Sequence, residues 1–347
     1  MVASVGVAAL VSLLGAALRP APAPLDVEDV SVHPPTSSTS TSSTSTSTST
    51  STSSSSTSTT MRPPTPVTAP APVAVAAVPV VAGVPAPWAP TGRLVAGQPA
   101  VWTSTVQVDG VTVFLARLDT SLLSIVPYAG TRDPPGTWSS QGAIAADVLP
   151  HAVCAFNGGF QFGTANGGWY ADGRVGVPLR TGAASLVVRS DGTAVVGEWG
   201  RDAVLDASVR AVRQNLTLLV DGGAPVAAAA QDWRWGATLG RVTRTWRSGL
   251  GDDGQGGLIF AGGPGLDAAG LAAALVAAHA QRAMELDINP QWVLLVTYGD
   301  GPSGNTVATK LSPTMAFGAD HFTSADWRDF VVALARAPVS APTPRPR

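Results

Sequence analysis

From residue 92 onward, apolar and polar positions alternate in short runs broken by glycine, the pattern of a β-rich domain. The stretch 106–118, VQVDGVTVFLARL, sets Asp109-Gly110 between two β-prone runs and predicts a two-residue hairpin. LVVRSDGTAVVG predicts a second hairpin, turning at Asp191-Gly192. Further strands are expected at HAVCAF, which runs into Asn157-Gly158-Gly159, and at 215–220, which turns at Asp221-Gly222-Gly223. A short helix is expected over 140–148, capped by Ser139 or Ser140. A longer one is expected from Asp267 to about Ala280. Asp267 can cap it, Leu266 and Leu271 fit a hydrophobic staple, and Leu271, Leu275 and Ala278 share one face. AMELDIN, over 283–289, then alternates with period two and predicts a strand. The fold class expected is α+β: mixed, largely antiparallel sheets with a few packed helices, in a single domain.

The first ninety residues follow other rules. Residues 2–18 are uncharged and apolar up to Arg19, and at about 1.5 Å per residue they would just span a bilayer core. No Lys or Arg precedes the run, so signal peptide and membrane anchor both stay open. Residues 36–60 are an unbroken Ser/Thr tract with nothing apolar to bury. Residues 62–90, rich in Pro, Ala and Val, read as a stiff extended spacer. The expected organisation is a signal peptide or membrane anchor at 1–18, a disordered stalk at 19–91, a folded domain at 92–337 and a disordered tail at 338–347. That layout implies a membrane-anchored or secreted protein at the cell surface or beyond it.

Composition narrows the chemistry. Charged residues make up 13% and the net charge is -2, so nucleic acid has no electrostatic support as a partner. Cys154 is the only cysteine, which excludes an intrachain disulfide and a cysteine-based zinc site. His33, His151, His279 and His321 show no metal-ligand spacing, and GxSxG, HExxH and P-loop patterns are absent. GLGDDG fits GxGxxG, but no helix follows and its two aspartates would repel a pyrophosphate.

In the strand expected at 283–289, Met284, Leu286 and Ile288 fall on one face and Glu285, Asp287 and Asn289 on the other. Two acids and an amide together make either a solvated strand face or a catalytic one. Alternate residues lie about 6–7 Å apart, between the carboxyl spacings of retaining and inverting glycosidases. Glycines in Asn157-Gly158-Gly159-Phe160 make either a plain turn or a loop whose N–H groups approach a ligand oxygen. Arg247 offers a fork that matches two phosphate oxygens, or an ordinary surface ion pair. Trp169, Tyr170 and Trp292 are aromatics that could stack on sugars.

Taken in order over about residues 100 to 335, these segments resemble the phosphodiester glycosidase family. Its NGG-aromatic motif is similar to Asn157-Gly158-Gly159-Phe160, and its RT-x-x-G segment to Arg247-Ser248-Gly249-Leu250-Gly251. Its helix and strand ending in an LDGGGS-type motif are similar to LAAALVAAHAQRAMELDINPQW, and its closing strand to the segment beginning Arg328-Asp329-Phe330. Ile288-Asn289-Pro290-Gln291-Trp292 stands where the family has glycines and Ser or Thr, a form that resembles an actinobacterial subgroup. The resemblance implies hydrolysis of a glycosyl phosphodiester in a cell-surface or extracellular glycan, with a carbohydrate or sugar-phosphate as partner. Taken together with the strand-face reading and the aromatics, it makes Asp287 and Glu285 the expected catalytic groups and Asn157, Gly158, Gly159, Arg247, Asn289 and Trp292 the expected substrate contacts. No cofactor is required, although an acid-lined site could hold a divalent cation. The alternative is a non-catalytic wall-glycan-binding module on a stalk.

Overall fold

The computed structural model describes residues 80, 82–226, 229, 232–236 and 242–336. The apolar run at 2–18, the Ser/Thr tract and the tail at 338–347 lie outside these residues. Among those described, no helix is long and apolar enough to cross a membrane.

The described residues fold into three antiparallel sheets with two α-helices, the first being the short α1 (Phe162–Ala165). The largest has eight strands, in the order β1 (Ala89–Val95), β2 (Gln98–Val108), β3 (Val111–Asp119), β14 (Gly257–Leu266), β13 (Thr245–Asp252), β15 (Arg282–Glu285), β11 (Leu218–Asp221) and β12 (Ala224–Pro225). A second sheet has the order β7 (Arg174–Val177), β6 (Trp169–Ala171), β10 (Val209–Gln214), β8 (Ala184–Arg189) and β9 (Ala194–Glu198). The third runs β17 (Thr306–Lys310), β16 (Leu295–Asp300), β5 (Ala152–Asn157), β18 (Phe330–Ala335) and β4 (Leu123–Tyr128). The α+β, mainly antiparallel class expected from the pattern is the class observed.

Local chemistry sets the punctuation. Asp109 (φ 49°) and Gly110 (φ 77°) both take the left-handed conformation that a tight primed hairpin turn demands, joining β2 to β3. Helix α2 (Ala268–Ala277) starts where the Asp267 carboxylate accepts the Gly270 N–H at 2.7 Å. Its Leu271 and Leu275 are fully buried against Val113, Leu115 and Ile259 on one face of the large sheet. On the other face Leu250, Phe260 and Met284 join Phe156 and Val332 of the third sheet and Leu186 of the second. The large sheet is therefore covered on both sides.

That double cover changes the reading of 283–289. The strand stops at Glu285, and the chain then runs irregularly beside β13, with Leu286 N–H donating to Ser248 O and Ser248 N–H to Asp287 O, both at 2.8 Å. Both faces are internal: Met284, Leu286 and Ile288 are buried, and so are Glu285 and Asp287. The helix expected over 140–148 does not form either. Gly142 sits at φ 77°, Gly142 and Ser140 pair with Ala129, and Ile144 N–H is taken by Phe322 O, leaving only a single 3-10 turn at Leu149–His151.

Order also begins before residue 92. Gly83 and Ala86 donate N–H groups to Gln107 and Thr105 at 2.8 Å each, and Ser104 Oγ–H donates to Ala86 O at 2.6 Å. Prolines 85, 87 and 90 suit this edge position because only the residues between them need to pair. Composition assigned the segment to the stalk, whereas its unblocked amides and carbonyls extend the sheet.

Candidate functional site

Ends of strands from all three sheets converge around the loop that follows β5. Asn157 closes that strand. Its Nδ2 donates to Gly158 O (2.8 Å) and Ser248 Oγ (3.0 Å), and its Oδ1 accepts Leu294 N–H (3.1 Å). All its side-chain bonds thus clamp the loop to β13 and to the approach of β16. Gly158 donates its N–H to Asp329 O at 3.1 Å, and a Cβ there would collide with the Asp329 carboxylate. A Cβ on Gly159 would lie 2.8 Å from Asn215 Cγ and 3.0 Å from Arg213 Cζ. Both glycines are needed here for close packing against charged groups.

Three buried arginine–carboxylate pairs surround the loop. Arg247 Nη1 lies 2.6 Å from Glu285 Oε1, with both side chains wholly enclosed. Arg247 also donates to the carbonyls of Leu266, Trp235 and Thr243, each at 3.0 Å. Arg213, at the end of β10, grips Asp329 through Nε (2.8 Å) and Nη2 (3.0 Å), reaches Phe160 O at 2.6 Å, and lies over the Phe162 ring. Arg328 Nη2 lies 2.6 Å from Asp287 Oδ2 and 2.7 Å from Gly159 O. Asp287 Oδ1 accepts Asn289 N–H at 2.7 Å. Burial pushes the Asp287 carboxyl above the ordinary aspartate range, although Arg328 and the Asn289 N–H pull it back. The neighbouring acid Glu285 is not among the causes of the shift; it has its own arginine.

Arg328 differs from the other two arginines. Its Nε and Nη1 make no hydrogen bond among the described residues, while the donors of Arg213 are spent within the protein and the Arg247 guanidinium is enclosed. The guanidinium carbon lies 4.9 Å from the Trp292 ring and 5.7 Å from that of Trp327. Both tryptophans are half-buried and meet edge to face at 5.4 Å. Trp292 also packs on Phe317, which stacks on His321 at 3.9 Å. Asn289 is half-buried beside this apron.

The structure thus gathers the residues singled out in the sequence, but it encloses most of them. Asn157, Arg247, Glu285 and Asp287 are internal; Asn289 and Trp292 reach the surface. Trp169 is core, packed edge-on to Trp138 and Phe162, and Tyr170 packs with Val187 and Trp199. Residues not named as site candidates complete the cluster: Asp133, Arg213 and Asn215, together with Ser248, Arg328 and Asp329, which the sequence offered only as parts of matching segments. Asn215 Nδ2 donates to Glu285 O (2.6 Å) and Leu286 O (3.1 Å), fixing the chain after β15. A signal did exist in Asp326-Trp327-Arg328-Asp329, a dense charged run directly before the apolar FVVALA. Among the described residues no three His, Cys, Asp or Glu side chains come together to hold a metal ion.

No family model matches the chain, and no curated protein does. Among solved structures it is similar to the catalytic domain of zebrafish N-acetylglucosamine-1-phosphodiester alpha-N-acetylglucosaminidase, auto-inhibited by its pro-peptide. Identity is 15% over 77% of this chain and 91% of that one, with a TM-score of 0.45. It is also similar to a hypothetical protein from Synechocystis, at 13% identity over 72% of this chain and 64% of that one, with a TM-score of 0.40. At that level of similarity the geometry of the site has to carry any functional reading.

Proposed function

We propose that the chain hydrolyses a glycosyl phosphodiester at the mouth of this cluster. The observation that carries the reading is Arg328: a guanidinium with unspent donors, set on two tryptophans and held by a buried carboxylate. A planar fork suits two phosphate oxygens. Trp292 and Trp327 offer rings on which a sugar can stack, and Asn289 offers an amide to its hydroxyls. In this scheme the Gly158-Gly159 loop lets the substrate approach, with Asn157 holding the loop in place. Asp287 stabilises positive charge developing at the anomeric carbon as the bond to the phosphate oxygen breaks. The electron pair leaves with the phosphate, which is a good leaving group and needs charge stabilisation more than a proton. Glu285 and Arg247 hold the strand ends that carry Asp287. The apolar run at 2–18 and the Ser/Thr tract support a cell-surface or extracellular glycan as substrate, with the protein secreted or membrane-anchored.

A specific observation favours a second reading, a non-catalytic wall-glycan-binding module: Glu285 and Asp287 are enclosed while Trp292 and Trp327 reach the surface. One experiment separates the two. The purified chain is incubated with methyl phosphodiesters of N-acetylglucosamine 1-phosphate, glucose 1-phosphate and mannose 1-phosphate and followed by phosphorus NMR. Release of methyl phosphate supports hydrolysis. Saturable binding of wall glycan, with no release from any diester, supports the module.

A further inference from the structure

The geometry points to Asp133 as the general base of this site, the group that takes the proton of the attacking water. The inference rests on the hydrolytic reading above and adds a residue that neither the sequence pattern nor the resemblance indicated.

The site holds five acids, and four already have a side-chain partner, an arginine for three of them and His321 for the fourth. Glu285 is bound by Arg247, Asp287 by Arg328, Asp329 by Arg213, and Asp326 lies 2.6 Å from His321 Nε2. Asp133 is the exception. Its Oδ2 accepts only the Phe162 N–H, at 3.2 Å, and its Oδ1 accepts no hydrogen bond among the described residues. It is also the half-buried member of a set whose other members are buried. A base needs an accessible lone pair, and here that is Asp133 Oδ1.

Its placement is not left to a floppy loop. Thr131 N–H donates to Asp326 O at 2.8 Å and Asp133 N–H to Trp327 O at 3.0 Å, while Asp133 O accepts Gly130 N–H at 3.0 Å. The loop after β4 is thereby laced to the segment that carries Trp327 and Arg328. The charged groups acting on Asp133 are Asp329, Arg213 and Arg328. Burial, and then Asp329, hold its carboxyl above the ordinary aspartate range, which makes it a stronger base than a solvated aspartate.

In the step itself the water oxygen bonds to the anomeric carbon as the carbon–oxygen bond to phosphate breaks. The bond's electrons leave on the phosphate oxygen, and the water's proton passes to Asp133 Oδ1. Phosphate needs no proton to leave, so the one proton in motion is the one Asp133 takes.

The test measures wild type, Asp133→Asn and Asp133→Ala on the three methyl phosphodiesters across pH 4–8. Methyl phosphate is followed by phosphorus NMR, with a thermal melt on each protein. Expected for Asp133→Asn is a fall in kcat of about 100-fold or more with KM little changed. The acid limb of the wild-type pH profile should vanish with it. Added formate should restore part of the Asp133→Ala rate by supplying a small carboxylate. Wild-type turnover with Asp133→Asn retaining more than about a tenth of kcat overturns the base assignment and leaves the hydrolytic reading intact. Absence of wild-type turnover on all three diesters overturns both. Loss of the folded state in both variants makes Asp133 a support of the fold and overturns the assignment.

Discussion

Replacing Arg247 by Met should damage the fold before it damages anything else. The side chain is fully enclosed and joins the Glu285 carboxylate to the carbonyls of Leu266, Trp235 and Thr243. Met fills similar volume but takes away the cation that lies 2.6 Å from a buried carboxylate, and breaking such a pair costs about 3–5 kcal/mol. Whole-domain stability is typically about 5–15 kcal/mol, so this is a large share. At about 2–4 °C per kcal/mol for a domain of this size, the melting temperature should fall by about 6–20 °C. Urea unfolding followed by circular dichroism gives the same quantity as a midpoint shift. The decisive comparison is the double variant Arg247→Met/Glu285→Met. Removing both charges should recover about 2 kcal/mol or more relative to the single variant, because the buried carboxylate is gone along with its arginine. A single variant within about 1 kcal/mol of wild type, or a double variant less stable than the single, would refute the reasoning. Read from sequence, Arg247 offered a fork for phosphate or a surface ion pair; the enclosed fork predicts an effect on the fold first.

Gly158→Ala should destabilise by about 1–3 kcal/mol or more, because its methyl group would be forced onto the Asp329 carboxylate that Arg213 grips; a melt unchanged from wild type contradicts this. Burial raises the Asp287 pKa in the folded state, so the native protein binds this proton more tightly than the unfolded chain does, and the group contributes stability below about pH 4 that is lost as pH rises through the folded value. The urea midpoint of Asp287→Asn should therefore gain on wild type between pH 4 and 7, and a widening deficit over that range would show that the charged form is the stabilised one. A chain starting at Ala89 should be less stable than one starting at Val80 by about 3 kcal/mol, roughly 1 for each of the three hydrogen bonds made by Gly83, Ala86 and Ser104. Equal melting of the two chains would show that this edge contributes nothing.

What could be read from the sequence was local. The turn at Asp109-Gly110 is written in the two residues that must take positive φ, and the start of α2 in Asp267 and the leucines beside it. Period two over 283–289 put Met284, Leu286 and Ile288 together; Met284 and Leu286 do share a core cluster, but the strand ends at Glu285 and Ile288 packs instead with Phe160 and Ala165. Nor could the period say that these residues and the acids Glu285 and Asp287 are all internal, because periodicity tells which residues share a face and not what covers that face. Stacking of two further sheets on the large one supplies that answer, and it depends on residues such as Phe156 and Leu186 far away in the chain. The partners of the site were out of reach for the same reason. Arg213 and Asp329 are 116 residues apart, and Arg328 and Asp287 are 41 apart. No local pattern ties such positions together. Residues 82–91 show the opposite failure, where proline content suggested a free spacer although the amides between the prolines pair with β2.

The distribution of the three ion pairs argues for a site and against a simple structural role. Arg213 and Asp329 join the second sheet to the third, Arg328 and Asp287 join the third to the first, and Arg247 and Glu285 link neighbouring strands of the first. Well-packed apolar side chains of similar volume would hold those junctions as well or better, since burying two charges offsets most of their attraction. Adhesion between sheets therefore does not explain why charge is kept at all three. Direction does. Each guanidinium also fixes backbone carbonyls, at Phe160, at Gly159, and at Leu266 with Trp235, so the pairs set the course of the chain around the glycine loop to a degree that leucines could not. Two pairs are closed on themselves and one, Arg328 with Asp287, keeps donors in reserve at the edge. Under the proposed function, the Arg328–Asp287 pair, which leaves guanidinium donors unspent beside Asp133, is where a phosphate would bind.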